Sequence, residues 1–420
     1  MGGEKFVPSS IDWEPNIGQE SFGWEARIHW QNVFEGRERI FRNSEIVNTG
    51  VGGGISMCGD LEVRRQKRHG DGQKVPWNLE NLGEVFGKVP ETLFLIASAF
   101  DSGDLISVLS LAGEYKRTGE VKQIIPVLTA FPHERQDHAF VDVFGNRIAQ
   151  PTTLRTAIQV LAGTRRSDGV RLVDGAVVVG GHSGQIIRHA NKLGFPILPV
   201  DPHNFMLSQV GIENLVNPIV FGPDKGRTQI GRRMAMTISE ETGQDCHFAV
   251  CEKARDRLDS GNATVRLEDP RFLDYITEKQ STVIVVDDEI REGTTSAAIR
   301  RLVSGRAGEF IFVANKCINA CCKSLGKTAA ELLSEELEKP FLRGERVIVS
   351  DAVEPLYPVT SLGERLEVVS LQPELVKIIK YLQEQPLPNG ENWLMPKETG
   401  SSLFLDLGIE GYQLEERPGL

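Results

Sequence analysis

The chain has 420 residues, 40% of them hydrophobic and 25% charged, and a formal net charge of -11. Such a chain is globular and long enough for two domains with separate cores. Its acidic balance excludes a protein built mainly to grip nucleic acid phosphates, and no run approaches the roughly 18 apolar residues of a membrane span.

Residues 1–45, rich in Trp, Glu and Asn and poor in periodicity, read as an N-terminal extension, and MGGEKFVPSS carries no signal-peptide core. The glycine cluster at 50–54 lacks the spacing of a dinucleotide fingerprint. From Thr92 the pattern changes to short apolar runs: LFLIASA (93–99), VKQIIPVL (121–128), GAVVVGG (175–181), FPILPV (195–200), NPIVFG (217–222), CHFAV (246–250), STVIVVDD (281–288), EFIFVA (309–314) and RVIVS (346–350). Buried parallel strands give such runs, and the polar-faced segments between them, such as Leu105 to Thr118 and Thr295 to Ser304, suit crossover helices. The fold class is therefore α/β. The stretch VDPHNFMLSQ (200–209) interrupts the series and divides it into 46–206 and 207–385, each a strand-helix alternation of ordinary domain size. Residues 386–420 are dense in turn formers and read as a tail.

Cysteines occur at 58, 246, 251, 317, 321 and 322, a spacing that gives no disulfide framework, so reduced thiols and a cytoplasmic location are expected. Cys317, Cys321 and Cys322 lack a partnering CxxC or His and read as small apolar helix residues rather than metal ligands.

The segment VIVVDDEIREGTTSAAIRRL (283–302) carries the chemistry. Its apolar run predicts a central strand that delivers Asp287 and Asp288 to the carboxyl end, where ligands of open α/β sheets bind. Paired carboxylates there accept hydrogen bonds from a ribose diol or hold the water shell of Mg²⁺. Gly293, Thr294, Thr295 and Ser296 follow as backbone amides and hydroxyls at a helix N-terminus, a phosphate cradle. A diol site and a phosphate site one turn apart fit a ribose 5-phosphate moiety.

This segment resembles the phosphoribosyl-pyrophosphate motif shared by type I phosphoribosyltransferases and ribose-phosphate pyrophosphokinases, and the chain from about Val51 to Gln385 resembles the pyrophosphokinases. DSGDLISVLSLAGEYKRTGEVKQIIPVLTAFPHERQDH (101–138) resembles their segment leading to an A-R-Q-D-R loop, which puts Arg135 and Gln136 on the ATP-contacting pair. VVVGGHSGQI (177–186) resembles D-L-H-A-x-Q-I, so His182 falls on the residue that meets the metal and the ATP phosphates. VFGPDKG (220–226) resembles S-P-D-x-G and places Asp224 on the magnesium and ribose acid. AVCEKARDR (249–257) resembles the K-R-R catalytic loop, with Lys253 and Arg255 on its first and third basic residues. CGDLE (58–62) resembles an F-S-D-G-E loop lent by a neighbouring subunit, with Asp60 and Glu62 keeping the acid spacing and Cys58 in place of the aromatic.

The resemblance implies two tandem type I phosphoribosyltransferase-like domains, each a mostly parallel sheet flanked by helices. It implies Mg²⁺, ATP and a ribosyl phosphate as ligands, and a homo-oligomer whose subunits share sites. The implied reaction is transfer of the β,γ-diphosphate of ATP to the anomeric hydroxyl of ribose 5-phosphate. Lys253 and Arg255 would neutralise charge in the transition state from a mobile loop. Two other activities stay open: a phosphoribosyltransferase, and a non-catalytic regulatory relative.

One departure bears on the acceptor. Family members usually show D-D-x-I-D-T-A-G-T or D-D-x-x-x-T-G-x-T, whereas here Arg291 stands in the Asp place and Glu292 in that of the first Thr. A carboxylate about 4 Å from a phosphate dianion costs several kcal/mol at an effective dielectric near 20. Three arrangements relieve it: Arg291 neutralises Glu292, the phosphate binds only through Gly293 to Ser296, or the 5-phosphate is esterified, as in ADP-ribose.

Overall fold

The structure, a computed structural model, describes residues 44–48, 92–117, 121–134, 153–181, 184–208, 211–255, 263–353 and 355–384. Its first sheet holds β1 (Ser44–Asn48), β2 (Thr92–Ser98), β3 (Gln123–Ala130), β4 (Ala176–Val179) and β5 (Ile197–Val200), side by side in that order and all parallel. Parallel neighbours need crossovers. Helices α1 (Ser102–Arg117), α2 (Thr153–Gly163) and α3 (Gln185–Lys192) supply those from β2 to β5. The short α4 (His203–Ser208) then leads into the second sheet.

The second sheet contains β6 (Ile219–Gly222), β7 (His247–Arg255), β8 (Ala263–Leu267), β9 (Thr282–Ile290), β10 (Glu309–Cys317), β13 (Glu345–Ser350) and β14 (Leu366–Val369). Its spatial order is β14-β13-β10-β9-β6-β7-β8, so the strand bearing the twin aspartates is central. All neighbours are parallel except β7 and β8, which form an antiparallel pair from Cys251↔Leu267 to Arg255↔Ala263. Helices α5 (Thr228–Thr242), α6 (Arg271–Lys279) and α7 (Thr294–Val303) cross between strands, and α9 (Gln372–Glu384) follows β14. A small antiparallel pair, β11 (Cys321–Cys322) with β12 (Lys327–Thr328), precedes α8 (Ala329–Ser334).

Period-two alternation explains how the layers stack. In β2, Leu93 and Leu95 join Leu105 and Val108 of α1 and Leu154 and Ile158 of α2 in one apolar cluster. The intervening Phe94 and Ile96 point the other way, into a cluster with Ile284 and Val286 of β9, Ile311 and Val313 of β10, and Leu375 and Ile379 of α9. Both faces of the central strands are thus covered, which is why they read as continuous apolar runs rather than alternating ones. The two sheets share that inner core, with Phe205, Met206 and Leu207 of α4 packed into it, and each keeps an apolar cluster of its own on its other face.

Two local readings change. Cys317, Cys321 and Cys322, expected on a helix, lie at the end of β10 and in β11, because the apolar run from Phe310 continues as strand through Asn315 and Lys316. Lys253 and Arg255, expected on a loop, have their backbone in β7, where pairing with β8 extends the strand past the last residue that β6 matches, Val250.

Candidate active site

The site begins where β9 runs out. Val283 to Val286 are fully buried, so the strand is fixed on both faces and delivers Asp287 and Asp288 to its carboxyl end with little freedom. Counting on from Phe221↔Val285 and Gly222↔Val250 puts Asp288 level with Asp224 and Glu252. The carboxyl edges of β9, β6 and β7 therefore meet at one height.

Arg227 is the centre of this edge. It ends a 3-10 turn (Lys225–Arg227) that Asp224 caps by accepting the Gly226 N–H at 2.8 Å. Its buried guanidinium places Nη2 2.9 Å from Asp288 Oδ2 and Nε 3.4 Å from Asp287 Oδ1. Burial alone would lower the Arg227 pKa, but the charges of Asp288, Asp287, Asp224 and Asp201 together raise it. Burial, then the adjacent Asp288, push the Asp287 carboxyl well above its ordinary range, with Arg227 opposing them. The local balance is an excess of carboxylate around one guanidinium.

A second buried device holds the same strand from the first half of the chain. His203 Nδ1 lies 2.5 Å from Asp201 Oδ1, and its Nε2 lies 2.6 Å from the main-chain oxygen of Asp287. The ring thus bridges the Asp201 carboxylate and the main chain of the twin-aspartate strand end. Burial works against ionising Asp201, but the charge and hydrogen bond of His203 and the charge of Arg233, whose Nη2 is 3.3 Å away, outweigh it and hold this carboxyl well below its usual range.

Between the sheets opens a cleft of about 280 Å³. Phe131, His133 and Glu134, just past the end of β3, form one wall, and Asp288, Glu289, Arg291 and Lys316 form the other. Buried Lys316 bridges the walls, its Nζ 3.0 and 3.2 Å from the two oxygens of Glu134. The Phe131 N–H donates to the same carboxylate at 2.6 Å. On the far side of Asp288 a pocket of about 20 Å³, room for little more than a water, is lined by Gly180, Gly181, Asp201 and His203. Gly180 has φ +58, and a Cβ there would lie 1.8 Å from the Asn315 Nδ2, so the end of β4 approaches β10 as only glycine can.

The loop after β9 turns at Gly293, which has φ +71 and no room for a side chain, since a Cβ would sit 2.8 Å from the Ala329 Cα. Helix α7 starts at the next residue, with Ser296 buried and Thr294 and Thr295 half-buried. Its last turn is anchored by a bidentate pair, Arg300 Nε and Nη2 at 2.7 and 2.8 Å from the Glu345 carboxylate. The helix N-terminus is thus a fixed element at the strand's carboxyl end. Arg291 donates to Glu289 at 2.9 and 3.4 Å, whereas Glu292 is exposed.

The fold is similar to that of a phosphoribosylpyrophosphate synthetase. The enzyme of that name from Mycobacterium smegmatis superposes with a TM-score of 0.51 at 20% identity, over 70% of this chain and 82% of that one. A hypothetical protein from Neisseria gonorrhoeae with bound ppGpp gives a TM-score of 0.24 at 10% identity, over 48% of this chain and 93% of that one, too distant to bear on function. No family model and no curated protein matches the sequence. The likeness establishes the α/β architecture of parallel sheets flanked by helices.

Of the residues that the sequence singles out, Asp287, Asp288 and Asp224 gather around Arg227, and Gly293 to Ser296 follow directly on the loop and helix. Arg135, Gln136, His182, Asp60 and Glu62 lie outside the described residues, as do the side chains of Lys253 and Arg255. Arg135 follows Glu134 of the cleft wall in sequence, and His182 follows Gly181 of the small pocket. Sequence reasoning missed Arg227, His203, Lys316 and Glu134. Arg227 stands three residues after Asp224, the one available signal, and VDPHNF reads in sequence only as a boundary. Among the described residues no three His, Cys, Asp or Glu side chains form a metal-holding group.

Proposed function

We propose that the chain transfers the β,γ-diphosphate of ATP to the anomeric hydroxyl of a ribosyl phosphate, releasing AMP. The observation that carries the reading is the twin-aspartate strand end, which opens on a cleft between two sheets beside a fixed helix N-terminus. A diol donates two hydrogen bonds to carboxylates held in a fixed orientation. Asp288 lines the cleft, and Asp287, with 19% of its side chain exposed against 5% for Asp288, is the more accessible of the pair, so both are proposed to meet the diol.

The cleft accounts for the other substrate. Its first-sheet wall ends at Glu134, which Arg135 and Gln136 follow in sequence, and its second-sheet wall carries Asp288, so a nucleotide entering from β3 would bring its phosphates toward the acceptor. Positioning and charge neutralisation are the main demands of phosphoryl transfer. Lys253 and Arg255, on the strand two places from β9, are the residues proposed to meet the charge spread over the transferred group.

The residues present fit Mg²⁺ held jointly with nucleotide phosphates, a mode that takes only one or two protein carboxylates. Asp224 is exposed, and the surplus of carboxylate around Arg227 favours a further cation. Bound there with His182 as the second contact, the ion would act as a Lewis acid on the phosphoryl oxygens.

The test is incubation of the full chain with Mg-ATP and ribose 5-phosphate or larger ribosyl phosphates, with AMP as the readout. AMP that depends on the acceptor and disappears in Asp288→Asn is expected. No AMP with any ribosyl acceptor sinks the reading, and pyrophosphate release with a free base in place of ATP use marks a phosphoribosyltransferase instead.

A further inference from the structure

We infer that the acceptor is a ribose whose 5-phosphate is esterified, a phosphodiester with one charge on that phosphorus, in preference to free ribose 5-phosphate; this rests on the diphosphoryl transfer proposed above. The argument starts from Arg291. Of the ways to relieve a carboxylate beside the phosphate loop, its neutralisation by Arg291 is absent: that guanidinium is committed to Glu289 at 2.9 and 3.4 Å. Glu292 is exposed and makes no hydrogen bond or ion pair with any described residue.

The surroundings add to the repulsion. The acceptor side of the strand end gathers the carboxylates of Asp224, Asp287, Asp288, Glu289 and Glu292 against the guanidiniums of Arg227 and Arg291. A phosphomonoester brings close to two negative charges into that field and a phosphodiester one. Glu292 precedes Gly293, so even an anion held only by the amides of Gly293 to Ser296 stays within reach of its carboxylate, which can approach to roughly 6 Å. At that distance, with an effective dielectric between about 40 and 80, one additional charge weakens binding roughly three- to tenfold.

The step balances as a substitution at phosphorus. The C1 hydroxyl oxygen forms a bond to the β-phosphorus, the bond from that phosphorus to the α,β-bridging oxygen breaks, AMP leaves with the electron pair, and the hydroxyl proton passes to water. The esterified 5-phosphate stays intact, and the product is a 1-diphosphate of the larger molecule.

Three acceptors separate charge from size: ribose 5-phosphate, its 5-(methyl phosphate) ester and ADP-ribose. Each is assayed for AMP with wild type and Glu292→Gln, and each binding constant is measured by calorimetry without ATP. The wild type should use and bind the methyl ester at least threefold better than ribose 5-phosphate, with ADP-ribose no worse than the methyl ester, and Glu292→Gln should remove the gap. A wild-type preference for ribose 5-phosphate overturns the inference and leaves diphosphoryl transfer standing. A gap that Glu292→Gln does not narrow also overturns it. AMP from none of the three, with no binding, removes the parent reading as well.

Discussion

Replacing Arg227 by Met is the most direct test of how this site is held together. The buried guanidinium pairs with Asp288 at 2.9 Å and approaches Asp287 at 3.4 Å. Methionine fills much of the volume but leaves two adjacent carboxylates facing each other. Breaking a buried pair from one side costs about 3–5 kcal/mol, on the order of a 5 °C fall in melting temperature for a chain of this length. The size of the loss must depend on pH. Asp287 already sits above its ordinary range because of burial and Asp288, and Arg227 is the group that lowers it. Its removal raises the folded-state pKa further above the unfolded value of about 3.9. Stability from such an acid is present below the unfolded pKa and is lost as pH rises through the folded one. The deficit of Arg227→Met against wild type should therefore be small near pH 4 and largest near pH 8. Adding Asp288→Asn should recover at least half of it at pH 8, because the two changes share one interaction. Thermal unfolding of wild type, single and double variants at several pH values provides the measurement. An equal deficit at every pH, or a double variant no better than the single one, refutes the reasoning.

Other expectations follow from the same contacts. Asp351, buried directly after β13, accepts from the Leu371 N–H at 2.9 Å and the Ser370 hydroxyl at 2.7 Å just ahead of α9, yet burial still pushes it up to about 6. The Asp351 contribution to stability should fall by about 2 kcal/mol as pH rises from about 4 to 6, so the stability gap between wild type and Asp351→Asn should shift by that amount against wild type when urea unfolding is compared across that range. Gly180→Ala should cost several kcal/mol, through a left-handed φ and a clash at 1.8 Å with the Asn315 Nδ2; adding Asn315→Ala should return only the steric part, leaving about 1–2 kcal/mol of backbone strain, read by thermal unfolding. His203→Ala removes the hydrogen bonds to the Asp201 carboxylate and to the Asp287 main-chain oxygen, worth about 1.5–3 and about 0.5–1.5 kcal/mol; calorimetric unfolding should show the loss, with weaker acceptor binding because the twin-aspartate strand end is less fixed.

Much of the fold was legible because central strands of a parallel sheet are buried on both faces and announce themselves by composition. LFLIASA (93–99) and STVIVVDD (281–288) became β2 and β9 within a residue or two, and the helix expected over 295–304 is α7. Failures fell where long-range pairing overrides local pattern. EKAR (252–255) reads as a polar loop, and its strand backbone exists only because β8 pairs with it. Cys321 and Cys322 likewise owe their strand to Lys327 and Thr328.

The sequence by itself determined the α/β class, the central strand with Asp287 and Asp288, and the glycine turn into a helix, because periodicity, burial and turn chemistry act over a few neighbouring residues. Tertiary structure alone decided what surrounds the twin aspartates. Arg227 is 60 residues away in the chain from Asp287, the His203 contact to the Asp287 carbonyl spans 84 residues, and that of Glu134 to Lys316 spans 182. Charge interactions between buried groups depend on distance in space and on the exclusion of water, and no local pattern encodes either.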